Sequence, residues 1–278
     1  MITPTERPIN IKDLVIEAPK PNGEGPFDPM DALPENYFDN FANSLKNHTA
    51  FDQSTDLYLL RSLCPQKFED LTIKSDHLLA VQDRAFLDTK HAYWPVLLMW
   101  WKTIRPDIDI NSQISNSEKQ KIHEELFNIN IDKDWVIGNQ EEVVALKIFF
   151  PELYGHVKSL AILRMTEELM QPSVGIVQKT RLAANLKLLA PDYFRDIYSN
   201  PGANNYIGAQ LSSDFWQESR LELQKSSGYS ILQTELALNL KILAAREVKF
   251  GNQGLELVMP EKPPQDQQTP PLPEARRF

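Results

Sequence analysis

A seven-residue string recurs five times along the chain and constrains its fold more than any other feature. The copies read LRSLCPQ from Leu60, WKTIRPD from Trp101, LKIFFPE from Leu146, LKLLAPD from Leu186 and LKILAAR from Leu240. Successive copies begin 41, 45, 40 and 54 residues apart. A period of about 40 residues is typical of proteins built from repeated helix pairs. We therefore expect about five helix pairs.

The residue types within the string are those expected at the end of a helix. The first and fourth positions are apolar in every copy, which places them on one helix face. The second position is basic in every copy: Arg61, Lys102, Lys147, Lys187 and Lys241. A cation in the last turn complements the negative end of the helix. Proline, which ends one helix and suits the start of the next, occupies the sixth position in four copies: Pro65, Pro106, Pro151 and Pro191.

The chain divides into a helical middle with two flanks. Residues 1–37 are crowded with Pro, Gly and acidic side chains, which predicts an extended arm. Residues 38–250 carry the helical periodicity and form the predicted repeat domain. Residues 251–259, which contain two glycines, predict a short strand or hairpin. Residues 260–278 are rich in Pro and Gln and predict a disordered tail.

The recurring helix ends resemble an α-solenoid of the HEAT or armadillo type over roughly residues 56–250. The resemblance is at the level of the class, and the fifth copy has Ala245 where the others have proline. It implies an all-α fold, a right-handed solenoid-like stack of about five helix pairs, and a concave face that binds other proteins. The alternative is an irregular multi-helix bundle whose helices happen to end in Lys and Pro.

Composition narrows the classes of partner. With 29 Lys and Arg against 38 Asp and Glu, the net charge of -9 disfavours nucleic-acid binding. The longest apolar cluster, residues 93–101, is far shorter than the roughly 20 residues of a membrane span. A single cysteine, Cys64, leaves no internal disulfide, and the N-terminus carries no export signal. We therefore expect a cytoplasmic protein that engages neither nucleic acid nor membrane.

Histidine and carboxylate pairs are the weak candidates for chemistry. Asp88 and His91 are three residues apart, and Glu152 and His156 are four apart, spacings that share a helix face. A carboxylate-bridged metal site in a bundle would need two complete Glu-x-x-His motifs, which the sequence lacks. Nucleotide-binding glycine loops and hydrolase motifs are absent too. We therefore assign no catalytic residue, metal or cofactor.

Two regions are candidates for interaction. The aromatic cluster Tyr93, Trp94, Trp100 and Trp101 either fills the core or anchors an interface. The longest non-periodic insertion, residues 198–210, contains Asn200, Asn204, Asn205 and Tyr206. We predict a protein-binding scaffold or adaptor. The alternatives are a helical-bundle enzyme that uses His91 or His156 with nearby carboxylates, and a structural subunit of a larger complex; the oligomeric state stays open.

Overall fold

The computed structural model of the protein describes residues 28–45, 54–73, 94–109, 112, 115–127, 132–202, 207–208, 210–225, 230–251 and 254–259. Of the described residues 75% are helical, which confirms the mostly helical fold. The helices are α1 (Tyr37–Leu45), α2 (Ser54–Leu63), α3 (Pro65–Ile73), α4 (Trp94–Ile104), α5 (Asn116–Phe127), α6 (Lys133–Gly138), α7 (Gln140–Phe149), α8 (Pro151–Leu169), α9 (Ile176–Leu189), α10 (Pro191–Ser199), α11 (Ser213–Gln224) and α12 (Ile231–Ala244). No helix of the described residues is long and apolar enough to cross a membrane.

The five copies of the string end helices α2, α4, α7, α9 and α12, which pack side by side. Each of these helices contacts the next one along the chain, and α12 contacts α2. They therefore form a closed ring, and we call them the ring helices. The first side chain of the string is buried in every copy: Leu60, Trp101, Leu146, Leu186 and Leu240. The predicted right-handed solenoid stack is not confirmed, because the end repeats of an open stack do not meet.

The repeated prolines begin helices that pack outside the ring. Pro65, Pro151 and Pro191 are the first residues of α3, α8 and α10, each of which packs against the ring helix before it. Proline suits this position because the amide hydrogen it lacks would have no partner within the helix. Pro106 differs, since it lies in a turn after α4 beside an ion pair between Arg105 and Asp107.

The repeated lysines join neighbouring ring helices at their C-terminal ends. Lys147 Nζ donates to the Leu188 oxygen at 2.7 Å, Lys187 Nζ to the Leu243 and Ala245 oxygens at 2.8 and 2.7 Å, and Lys241 Nζ to the Leu63 oxygen at 3.3 Å. Because Leu63 belongs to α2, the last bond links the two ends of the ring. Each of these lysines therefore donates to a carbonyl at the end of the next ring helix. The sequence pattern predicted instead that each lysine would interact with the end of its own helix.

The first two copies of the string use their basic residue differently. The guanidinium carbon of Arg61 lies 4.9 Å from the centre of the Phe68 ring, a cation–π geometry. Within the described residues, Lys102 makes no hydrogen bond to a neighbouring helix.

A β-hairpin lies across the C-terminal end of the ring. Strands β1 (Glu247–Gly251) and β2 (Gly254–Val258) are antiparallel, with Val248 opposite Leu257. The Phe250 ring packs edge-on against Phe149 of α7, with centroids 6.3 Å apart. The hairpin begins at residue 247, ahead of the predicted boundary at 251, because the first strand starts almost directly after α12.

The hairpin packs closely against α4 at a glycine. Gly254 has a φ of +85°, and a Cβ atom added there would lie 2.6 Å from the Cα atom of Thr103. This backbone conformation and this close approach both require glycine.

Part of the predicted N-terminal arm belongs to the packed structure. Asp28 caps a 3₁₀ helix, Pro29–Ala32, by accepting from the Met30 amide at 3.0 Å. Tyr37 is buried, and its hydroxyl donates to the Ser230 carbonyl, 2.7 Å away, at the start of α12. Residues 28–37 thus differ from the predicted extended arm. The rest of the arm, residues 1–27, and the predicted tail, residues 260–278, lie outside the described residues.

Candidate functional site

A cavity of about 310 Å³ lies at the centre of the ring. All five ring helices and the hairpin contribute to its walls. The lining residues are Thr55, Tyr58, Leu59, Met99, Trp100, Glu141, Val144, Lys147, Ile148, Asn185, Leu188, Glu235, Leu238, Asn239, Ile242, Val248, Lys249, Phe250 and Leu255. Eleven of these nineteen residues are apolar and eight carry polar or charged groups, so the walls combine apolar surface with polar groups, as sites for small organic molecules do.

The lining side chains occupy equivalent positions in the repeat. Counted from the basic residue of each string, they lie mainly six, three and two residues before it and one residue after it. This spacing is the i, i+3, i+4, i+7 pattern of one helix face. The repeat therefore presents the same face of each ring helix to the cavity, and side-chain identity at these positions decides the chemistry of the cavity.

Charged groups converge at the end of the cavity formed by the first two turns of the ring helices. Arg181 Nη2 lies 2.6 Å from Glu235 Oε2 in a partly buried ion pair between α9 and α12. Glu141, the second residue of α7, lies close enough to both side chains to interact electrostatically. Within the described part of the chain, the Glu141 carboxylate has no hydrogen-bond or ion-pair partner. Two carboxylates thus line this end of the cavity, and the Arg181 guanidinium, which is not a lining residue, pairs with one of them.

The titration of this cluster is shifted by its surroundings. Burial of the Glu141 carboxylate, together with the negative charge of Glu235, raises the pKa of Glu141 to about 7, although Arg181 acts in the opposite direction. Burial also raises the pKa of Tyr58, and the charges of Glu141 and Glu235 add to this effect. Glu141 therefore exchanges its proton near neutral pH, where a carboxyl group in water is fully ionised.

An aromatic pair forms part of the cavity wall. The rings of Tyr58 and Trp100 stack with centroids 6.1 Å apart and an interplanar angle of 29°. The indole Nε1 of Trp100 is buried, and it has no hydrogen-bond partner among the described residues. Trp101, the next residue, points away from this wall and is 2% exposed in the core. The two adjacent tryptophans thus have different roles because successive helical side chains are about 100° apart.

The opposite end of the cavity carries the hairpin and two lysines. Lys147 Nζ donates to the Leu188 carbonyl. Burial lowers the pKa of Lys147, and the charge of Lys158 has a smaller effect in the same direction. Lys249 Nζ lies 2.9 Å from Glu247 Oε1 on the same strand. Each of these cations has a partner, in contrast to the carboxylate of Glu141.

Of the histidine and carboxylate candidates, the pair that the structure describes does not line the cavity. Glu152 and His156 are both exposed on α8, and Glu152 Oε1 lies 3.9 Å from His123 Nε2. Asp88 and His91 lie outside the described residues. Among the described residues, no group of three or more His, Cys, Asp or Glu side chains is arranged to hold a metal ion.

The interaction candidates divide between the cavity, the core and the surface. Trp100 lines the cavity and Trp101 is in the core, while Trp94 begins α4 with a side chain outside the described part. Asn200 is exposed after α10, and its Oδ1 accepts from the Gly202 amide at 3.0 Å. The other four candidates lie outside the described residues: Tyr93, Asn204, Asn205 and Tyr206.

The sequence analysis missed Glu141, Glu235 and Arg181, although the repeat contained a signal for them. These residues lie six positions before Lys147, Lys241 and Lys187, respectively, so they are equivalent in the repeat. The corresponding residues of the first two copies are Thr55 and Val96. Extending the string by two helical turns toward its N-terminus would have placed these charges on one face of neighbouring helices.

No family model, curated protein or solved structure matches the chain.

Proposed function

We propose that the protein binds a small organic molecule in the central cavity of its helical ring. The observation that supports this most directly is the convergence of all five ring helices on one cavity lined by an apolar wall and a charged cluster. A volume of about 310 Å³ is at the lower end of the range for small-molecule sites. A carboxylate without a protein partner is costly unless a ligand or water pairs with it.

The proposal is tested with a library of soluble fragments and two variants that fill the cavity. Asn239→Phe and Ile148→Trp each add an aromatic ring at a lining position on a different helix. We expect fragments that bind the native protein in ligand-observed NMR to lose binding to both variants. The matched control is Glu142→Gln, next to the site but outside the lining. Circular dichroism establishes that each variant folds.

Two results would contradict the proposal. One is a native protein that binds no fragment, since a preformed cavity of this chemistry accepts weak ligands readily. The other is a set of fragments that binds equally to the native protein and to both filled variants, because those fragments would then occupy another surface.

A protein-binding scaffold is the second candidate, in line with the resemblance to HEAT and armadillo repeats. Its specific support is three exposed apolar side chains: Leu221, 58% exposed, and Ile231 and Leu232, 40% and 57% exposed. Gln233 Nε2 donates to the Glu222 carbonyl at 3.3 Å, so these leucines lie on adjoining helix ends. Exposed apolar patches often mark interaction sites.

The scaffold proposal is tested by affinity purification of the tagged chain from its native host. We expect a stoichiometric protein partner with the native chain and its loss with Leu221→Lys and Leu232→Lys combined. Equal recovery with both chains would count against this patch, and purification of the chain alone would count against the scaffold.

A further inference from the structure

One carboxylate that lines the central cavity has no cation as its partner among the described residues, and this indicates the kind of ligand. Three helices contribute charged groups near Glu141. Arg181 lies on α9, Glu235 lies on α12, and Glu142 is the neighbour of Glu141 on α7. The guanidinium is already paired with Glu235 at 2.6 Å. The Glu141 carboxylate, which faces the cavity, therefore lacks a cation of its own among the described residues.

The lysines of the cavity do not supply this missing charge. Lys147 lies six residues after Glu141 on the same helix, or about 9 Å along its axis. Its ammonium group donates to the Leu188 carbonyl at 2.7 Å, and Lys249 pairs with Glu247 on the hairpin. Met99 and Trp100, the lining residues of α4, carry no charge. Among the described residues no cation pairs with Glu141, so we assign that role to a ligand.

The wall beside this carboxylate is suited to a cation with an apolar body. Tyr58 interacts electrostatically with both Glu141 and Glu235, and its ring stacks with Trp100. Aromatic faces attract ammonium groups, most strongly where water is excluded. Leu59, Val144 and Leu238 extend the apolar lining.

We infer that the ligand of the central cavity is an organic ammonium ion, whose charged group pairs with Glu141 beside Tyr58 and Trp100. Its hydrocarbon part lies along the apolar wall. This inference rests on the proposed function, because it specifies the ligand of the same cavity.

The inference leads to a pH dependence with a defined sign. The pKa of Glu141 is about 7, so its carboxylate changes from mostly protonated to mostly ionised between pH 6 and pH 8. An alkylammonium ligand stays charged across this interval. Its affinity should therefore rise about tenfold from pH 6 to pH 8.

The test uses three arylalkylamines of increasing length, benzylamine, 2-phenylethylamine and 3-phenylpropylamine, each with the alcohol of the same carbon skeleton. Isothermal titration calorimetry at pH 6 and pH 8 measures Kd for the native protein, Glu141→Gln and the control Glu218→Gln, at an exposed position outside the cavity. We expect at least one amine to bind at least tenfold more tightly than its alcohol at pH 8. Glu141→Gln should remove this preference and the pH dependence, while Glu218→Gln retains both.

The outcomes separate this inference from the proposed function. If the alcohols bind as tightly as the amines, or if Glu141→Gln binds the amines as the native protein does, the ammonium inference is overturned and the cavity remains a binding site. The same holds if none of the six compounds binds while other fragments occupy the cavity. If no fragment occupies the cavity, the proposed function itself fails.

Discussion

At the scale of single residues, Glu141 reduces the stability of the protein at neutral and alkaline pH. Its pKa rises from the ordinary 4.5 to about 7, so between these values the folded state retains a proton that the unfolded state has lost. The unfolded state then binds fewer protons, and stability falls as pH rises through this window. The loss is complete above pH 7 and amounts to at most about 3 kcal/mol.

We therefore expect Glu141→Gln to raise the free energy of unfolding at pH 8 by about 1 to 3 kcal/mol, and by much less at pH 5. Urea unfolding at the two pH values measures the difference. Glu218→Gln, at an exposed position of α11, controls for the removal of one carboxylate. A Glu141→Gln protein that is equally stabilised at both pH values would show that the pKa of Glu141 is not raised in the folded state. A variant that is destabilised at pH 8 would show that the carboxylate is paired there.

Two glycines should respond in opposite directions to the same substitution. A Cβ atom at Gly254 would lie 2.6 Å from Thr103 Cα, and the φ of +85° disfavours alanine. We expect Gly254→Ala to lower the free energy of unfolding by about 1 to 3 kcal/mol. Gly155, within α8, has nothing within 4 Å of an added Cβ atom, so Gly155→Ala should raise it by about 0.5 to 1 kcal/mol. If urea unfolding gave the two variants similar stability, the close packing of the hairpin against α4 at Gly254 would be contradicted.

At the scale of elements, the lysines that join ring helices should differ in their contribution to stability. Lys187 makes two short bonds to carbonyls at the end of α12, and burial lowers its pKa to about 8, so it is largely charged at pH 7. We expect Lys187→Met to cost about 2 to 4 kcal/mol, because the carbonyls lose a charged donor. Lys241→Met, which removes one bond of 3.3 Å, should cost about 1 kcal/mol.

Chemical denaturation at pH 7 compares the two lysine variants with Lys225→Met, which alters an exposed ion pair on the surface. The surface variant should differ from the native protein by less than about 1 kcal/mol. If Lys187→Met and Lys241→Met were both as stable as Lys225→Met, the bonds between ring helices would contribute no net stability.

The helix ends also show which features of an element a sequence pattern predicts. Asn139 precedes α7 and is a residue type that commonly caps a helix start, yet its side chain donates to the Trp135 carbonyl at 2.8 Å and makes no cap hydrogen bond. Leu232 continues the apolar spacing of α12 but is 57% exposed. The position of a helix start depends on local sequence, whereas the partner of its first side chain depends on neighbouring elements.

At the scale of the whole molecule, ring closure predicts how the protein opens. In an open stack, terminal repeats have one neighbour and open at lower free energy than central ones. Here α2 and α12 contact each other, so every ring helix has two ring neighbours. We expect native-state hydrogen exchange to give the core amides of α2, α7 and α12 similar opening free energies. Early exchange of α2 and α12, with α7 protected, would contradict a closed ring in solution.

The ends of the repeated helices can be predicted from local sequence. Periodic apolar residues define a helix face, and proline stops the hydrogen-bond pattern, whatever the rest of the chain does. These local patterns predicted the five helix ends, the three outer helices that begin at proline and a short hairpin near Gly254. These properties depend on residues within one or two helical turns of each other.

Closure of the ring and the side chains at its centre depend instead on contacts between distant parts of the chain. Leu63 and Lys241 are 178 residues apart, and Arg181 and Glu235 are 54 apart, so no local pattern brings either pair together. Likewise, Trp100 and Trp101 are indistinguishable by composition, yet one lines the cavity and the other fills the core. The rotation of each helix is set by its packing against two neighbours, and this packing fixes which side chains meet in the cavity.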